Sequence, residues 1–345
     1  MVKHQLIEPS PLHQLQMNHT SHLYEVYSKY LEDNSRELAA HLTKKYCLNH
    51  KPRSIEDQIA FLEFLYMNHF FSELELLIHS REFHNDVSLL YRLLLRRRHQ
   101  AVSELQLKKI KSLKFSHPTL RCLHMFIIVQ FYYDSKQYTG LDKYLEACDQ
   151  ALNEINEPLV YYYLNLRFNE LLFHHYWKTN NSLLANRYAY KIINSELSSR
   201  NICHMYHQLA LCNLFKGYQY SIHNAMIALE LANKNLYNHT AKMIKHYTIP
   251  FISAFHRQTK NIYTPDPAES AHIAIAENNF KEAERILSRL TEFTPMEECY
   301  LGVATKSKEM LIRSNQRFIH ELGDQFYAQI PLFYMDRFLT ISKEG

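Results

Sequence analysis

The stretch Glu269–Leu290, ESAHIAIAENNFKEAERILSRL, constrains the fold more than any other part of the chain. It reads as two helices joined by a tight polar turn. Ala271, Ile275 and Ala276 give the first helix a narrow stripe of mostly small residues. Phe280, Ala283, Ile286, Leu287 and Leu290 give the second an i, i+3, i+4, i+7 stripe. Glu277-Asn278-Asn279 between them is turn chemistry, because short polar side chains can bond the freed backbone groups. A hairpin of this kind cannot bury its own apolar face, so it needs copies beside it.

Copies are present. Tyr132–Tyr138, YYDSKQY, leads into LDKYLEACDQAL; Tyr176–Ser182, YWKTNNS, leads into ANRYAYKII; Leu214–Tyr218, LFKGY, leads into IHNAMIALELA. Each is an aromatic-rich helix end, a polar turn and an amphipathic helix with a small residue near its centre. The turns recur at roughly 35–60 residues, near the period of tetratricopeptide-like helix pairs. Only five glycines stand in 345 residues, 46% of the residues are hydrophobic, and no strand–turn–strand alternation is present. The predicted fold class is therefore all-α, a tetratricopeptide-like helical-repeat solenoid. Residues 1–16, broken by Pro9-Ser10-Pro11, read as a loose lead-in, and residues 17–260 as the helical-repeat region. The break NIYTPDP at 261–267 opens a C-terminal set of helical repeats and a cap, 261–345. Asn34 or Ser35 is an expected helix cap, and Ser54 with Asp57 reads as a loose capping box.

The composition excludes several classes of function. Twenty-two histidines invite a metal site, yet no HExxH and no spaced Cys/His quartet occurs; the nearest groupings are His174-His175 and Cys203-His204 with His207. There is no glycine-rich phosphate loop, and no Ser or Cys sits in a nucleophile elbow. An enzyme is not expected, nor a metal or cofactor. The six cysteines are scattered with no CxxC pair, as in reduced cytosolic proteins. No apolar run reaches the length of a signal peptide core or a membrane span, so a cytoplasmic chain without a membrane partner is expected.

Two surfaces stand out. The net charge of +4 is too small to indicate nucleic-acid binding, but residues 92–114 are locally basic, with Arg96, Arg97, Arg98, Lys108, Lys109 and Lys111 the candidate contacts. The plainer reading is a solvated helix face whose arginine stems cover apolar surface. The second surface spans 160–215, where Asn165, Asn169, His175, Thr179, Arg200, His207 and Asn213 supply polar groups near helix ends. Stacked helix pairs curve, and their inner face suits a peptide. Ordinary surface polarity explains the same residues equally well.

Five segments carry a resemblance: YCLN at 46–49, HFFSELELLI at 69–78, YYDSKQY at 132–138, ESAHIAIAENNFKEAERIL at 269–287 and GDQFYAQIPLF at 323–333. Together they resemble the arbitrium receptors of Bacillus phages, relatives of the Rap, PlcR and NprR peptide sensors. The resemblance, collinear over roughly residues 10 to 335, implies a helical-repeat regulator that binds a short secreted peptide and sets the lysis–lysogeny choice. It implies a peptide in the concave groove, with carboxylates engaging its positive groups. Glu269, ahead of Ala271-His272, and Asp324, ahead of Phe326, fall on the matching motifs. Ser135 takes the place of a family hydroxyl, Arg200 matches a groove arginine suited to a carboxylate, and His175 and Thr179 stand where the family has asparagines. Two further departures are expected to matter: the chain starts at the end of the family's helix-turn-helix segment, and it ends at FLTIS rather than in a Leu-rich dimerisation helix. The implied partners are a short oligopeptide and a protein or nucleic acid, with homodimerisation left open. The alternatives are a nucleic-acid-binding regulator using residues 92–114 and a helical-repeat adaptor.

Overall fold

The computed structural model describes residues 22–80, 82–99, 103–195 and 198–341; the expected lead-in at 1–16 lies outside them. All regular structure among the described residues is helical. In chain order the helices are α1 (His22–Asp33), α2 (Arg36–Asn49), α3 (Ile55–Met67), α4 (Phe71–Ile78), α5 (Asn85–Arg97), α6 (Glu104–Lys111), α7 (Pro118–Asp134), α8 (Leu145–Leu152) and α9 (Pro158–Lys178). There follow α10 (Ser182–Ile193), α11 (Ser199–Cys212), α12 (Tyr218–Lys234), α13 (Asn238–Met243), α14 (Ile249–Phe255) and α15 (Pro267–Ala276). The last four are α16 (Phe280–Leu287), α17 (Pro295–Ala304), α18 (Lys308–Arg317) and α19 (Gln329–Ile341). Helices pack mainly on their sequence neighbours, as α11 does on α12, α15 on α16 and α17 on α18. This is the all-α helical-repeat class expected from the sequence.

One turn builds most of the hairpins. After α3, α7, α9, α12, α14, α15 and α17 the chain places a non-glycine residue in the left-handed region: His69, Lys136, Asn180, Leu236, Arg257, Asn278 and Lys306, with φ between 56° and 62°. The residue after each donates its N–H to a carbonyl five positions back, as Asn279 does to Ala274 at 2.8 Å and Ser307 to Gly302 at 2.9 Å. This is the Schellman closure of a helix C-terminus, which satisfies carbonyls the helix leaves open. The same residue can then start the next helix: the Asn279 side chain accepts from the Glu282 N–H, and the Ser307 hydroxyl accepts from the Met310 N–H. The turn at Leu214–Tyr218 differs, closing in a short 3-10 segment with Gly217 at φ 117°. Ser35 and Ser54 cap α2 and α3 through the N–H groups of Leu38 and Asp57.

The described residues form two compact units. One takes residues up to Leu172 with the segment 190–198; the other takes Phe173–Ala189 and the residues from Ser199 onward. The division thus passes through α9 and α10. In the first unit Phe64, Tyr91, Phe126, Phe131 and Tyr163 are fully buried. Among them lies an ion pair: Arg167 donates to both carboxylate oxygens of Glu63 (2.8 and 3.3 Å), and the Tyr91 hydroxyl donates to Glu63 Oε2 at 2.7 Å. The core of the second unit includes Phe173, Tyr300, Phe255 and Phe326.

The second unit also shows what the 261–267 break does. Between α13 and α14 the backbone widens into a π-turn at Ile244–Thr248, and Pro250 follows. A proline has no N–H to offer the carbonyl four residues back, here that of His246. The Thr264 hydroxyl donates to that carbonyl instead, at 2.5 Å. The break therefore returns to satisfy a backbone group that Pro250 leaves open.

Candidate binding site

Of the residues singled out from the sequence, Ser135 and Asn169 belong to the first unit. Ser135 is the exposed C-cap residue of α7, and Asn169 is buried in α9. His175, Thr179, Arg200, His207, Glu269 and Asp324 belong to the second unit, where local structure assigns them different tasks.

Asp324 does not face solvent. Its carboxylate is 2.7 Å from the Lys178 ammonium, and the two side chains are 2% and 4% exposed. Its other oxygen accepts the Tyr327 N–H at 3.0 Å, and the Gln325 N–H donates to the Lys178 carbonyl at 2.9 Å. The ammonium also lies 4.0 Å from the Trp177 ring and 4.6 Å from the Tyr327 ring. A buried carboxylate with its partners in place is a structural clasp. The resemblance implies a ligand contact for Asp324, whereas its carboxylate is turned inward onto Lys178 in the segment before α19, which begins at Gln329.

Glu269 is different. Asp266 caps α15 by accepting the Glu269 N–H at 2.9 Å, so the Glu269 side chain is not needed as the cap. Its carboxylate stays 15% exposed. It meets His272 Nδ1 at 3.3 Å and the Tyr300 hydroxyl at 3.4 Å, both long contacts. His272, fully buried, stacks on Tyr300 and meets the Tyr334 hydroxyl through Nε2 at 2.7 Å. A half-buried carboxylate held only by long bonds keeps lone pairs for a further donor.

His207 Nε2 lies 2.6 Å from the Thr248 hydroxyl, within the π-turn. Burial, and secondarily His204, push its pKa down to about 4, so the ring is neutral at physiological pH. The unfolded chain then binds more protons than the folded one between about pH 6.5 and 4. Stability present above pH 6.5 is lost as the pH falls through this window, with a slope of up to about 1.4 kcal/mol per pH unit from this residue. Chemical denaturation across pH 4–7 is expected to show a flatter profile for His207→Gln than for the wild type. Identical profiles would mean that the ring titrates normally.

Arg200 is exposed, its guanidinium 4.4 Å from the Tyr237 ring. The Thr179 hydroxyl turns back to the His175 carbonyl at 2.9 Å and so finishes α9. The His175 ring packs edge-on against Tyr176. No cluster of metal-ligating side chains exists among the described residues, and the Cys203 thiol, its pKa raised to about 11 by burial, donates to the Ala228 carbonyl at 3.2 Å.

The basic run is less free than its sequence suggests. Arg97 forks onto Asp134, with a 3.0 Å bond to Oδ1, and onto Gln130 at 3.2 Å. The Arg98 guanidinium sits 3.3 Å from the Phe71 ring centroid, and Lys111 donates to the Tyr132 hydroxyl at 3.0 Å. Arg96, Lys108 and Lys109 are exposed. Arg98 and Lys111 are exposed as well, so that of the six only Arg97 is partly withdrawn from solvent. Alanine at Arg96, Arg97 and Arg98 together is expected to cost about 1 kcal/mol in a urea titration, through loss of the Arg97–Asp134 pair. A loss of duplex-DNA retention that vanishes at higher salt would instead mark a phosphate contact.

With this geometry in place, the relatives can be considered. The model of the AimR transcriptional regulator-like family matches residues 39–337. The chain belongs to that family. The match takes in the first unit from Ala39 onward and almost all of the described second unit. An uncharacterized Bacillus anthracis protein, pXO2-35, is 26% identical over 236 residues, spanning 64% of this chain and 85% of the relative. Among solved structures, phAimR with its ligand is similar at a TM-score of 0.74 and 15% identity, covering 92% of this chain and 96% of phAimR. Selenomethionine phAimR is similar at a TM-score of 0.63 and 15% identity, covering 90% and 84%. These likenesses establish the AimR fold for the chain. The family is one of regulators and not of enzymes, in keeping with the missing nucleophile and phosphate motifs. No helix among the described residues is long and apolar enough to cross a membrane. Sequence reasoning missed Lys178, Tyr300 and Tyr334. Lys178 carried a usable signal: a lysine between Trp177 and the polar turn, at the end of a strongly aromatic helix.

Proposed function

We propose that this AimR-like chain is a peptide-sensing transcriptional regulator of the arbitrium type, acting in phage lysis–lysogeny control through a peptide-dependent change of conformation and of bound partner. The observation that carries this reading is the family match over residues 39–337. The ligand in the similar phAimR structure lends it further support. Within the second unit, Glu269 is the anchor for a positive group of the peptide, because it alone of the two candidate carboxylates is held loosely. Arg200, exposed on Tyr237, suits a carboxylate of the peptide. In the same unit His207 supplies a neutral imidazole contact, His175 a ring and Thr179 a carbonyl-bound hydroxyl; Asn169 and Ser135 belong to the first unit and are not part of this anchor. Asp324 has a supporting part, since it holds Lys178 and the turn before α19.

The test is affinity selection from a synthetic library of random hexapeptides, with mass spectrometry of the retained fraction. Wild-type protein is expected to retain a defined subset. A charge-assisted hydrogen bond contributes about 1.5–3 kcal/mol, so Glu269→Gln should bind that subset roughly tenfold to a hundredfold more weakly. Retention no greater than that of an unrelated helical protein would overturn the peptide reading. Full affinity in Glu269→Gln would overturn the role of Glu269 alone.

A further inference from the structure

A cavity of about 520 Å³ opens in the second unit among α14, α15, α17 and α19. Its walls are apolar, formed by Ala254, Ile275, Phe280, Val303 and Tyr334. Its charged lining consists of Arg257, Lys306, Lys308 and Arg337, and no carboxylate lines it. None of these four cations forms an ion pair within the described residues. Lys306 lies 5.7 Å over the Phe280 ring, and Arg337 lies 4.1 Å over Phe333. Burial lowers the pKa of Arg337; Tyr334 opposes this, and the positive charge of Arg257 adds to it.

Such an arrangement is costly unless something balances it. Four like charges around a partly apolar hollow repel one another more than they would in open water. The chain as a whole carries only +4, so this is a local concentration and not a reflection of a generally basic surface. The volume falls in the range of small-ligand pockets, roughly 300–1,000 Å³, and apolar walls with a few convergent polar groups match their usual make-up. A single carboxylate would offset one of four charges. A phosphate group carries about −1.5 to −2 and presents three strong acceptor oxygens, which suit the arginine fork and the lysine ammonium.

We propose that this cavity binds a small organic phosphate of the nucleotide class, its phosphates on Arg257, Lys306, Lys308 and Arg337 and its ring against Phe280 and the apolar wall. The site is distinct from the peptide anchors named above. Isothermal titration calorimetry on the full chain with ADP, inorganic phosphate and octanoate tests both halves of the assignment. ADP is expected to bind at least tenfold more tightly than either inorganic phosphate, which lacks the ring, or octanoate, which lacks the charge. Lys306→Gln with Arg337→Gln should weaken ADP at least tenfold and leave the thermal midpoint of the unliganded protein equal to or above that of the wild type, since it relieves like-charge repulsion. Lys216→Gln, which removes a cation away from this cavity, should leave ADP affinity unchanged. Should the double variant misfold, the exposed Lys308→Glu gives the same reading. Absence of ADP binding, equal binding of octanoate, or undiminished affinity in the cavity variants would overturn the proposal.

Discussion

Asp324→Asn is expected to lower the stability of the protein by about 3–5 kcal/mol, the usual cost of removing one partner from a buried ion pair. The loss comes less from the missing attraction than from the Lys178 ammonium, which stays buried against Trp177 and Tyr327 once the Asp324 charge is gone. Denaturant titration gives the number. The companion variant, Lys178→Met with Asp324→Asn, should recover much of the loss, because no uncompensated charge is left. A near-wild-type midpoint for Asp324→Asn, combined with lost peptide retention, would return Asp324 to the role of a ligand contact.

Arg167→Met is expected to have an effect of the same size in the first unit. Glu63 and Arg167 are 0% and 2% exposed, and Tyr91 supplies a third member of the group. Burial, and then the Glu63 charge, hold the Tyr91 hydroxyl well above its ordinary pKa, so it stays a donor. Removing the guanidinium leaves Glu63 with that hydroxyl alone. About 3–5 kcal/mol should be lost, whereas Tyr91→Phe, which deletes one hydrogen bond to a charged group, should cost about 1.5–3 kcal/mol. Equal midpoints for wild type and Arg167→Met would show that the carboxylate finds another partner or takes up a proton.

The sequence made the helices legible and the ion pairs illegible, and the reason is range. The stripes at Ala271–Ile275 and Phe280–Leu287 are local, and Asn278 announces its turn because asparagine tolerates the left-handed region. Leu236 and Lys306 adopt the same conformation without any such signal. Lys178 and Asp324 are 146 positions apart, and Glu63 and Arg167 are 104 apart. No periodicity connects them. A hint was nevertheless present in IAFLEFLYM, where the single charge of Glu63 interrupts an apolar run and must find a buried partner. Glu269 was marked by its motif, but its looseness could be seen only once Asp266 had taken the cap. The contacts of Arg97 and Arg98 within the basic run were not legible, because Asp134 and Phe71 come from other helices.

The seven left-handed hairpin residues have a consequence for how this protein can change over time. Glycine would relieve the roughly 1–2 kcal/mol of backbone strain at each tip, yet histidine, lysine, asparagine, leucine and arginine stand there instead. The bond that closes each tip runs between main-chain groups, whichever side chain the left-handed residue carries. A tip residue can therefore be exchanged for another side chain without disturbing the hairpin beneath it. Three of the seven, Arg257, Asn278 and Lys306, already line one cavity. The repeated turn works as a row of interchangeable sockets, through which ligand preference can drift while the helices stay as they are.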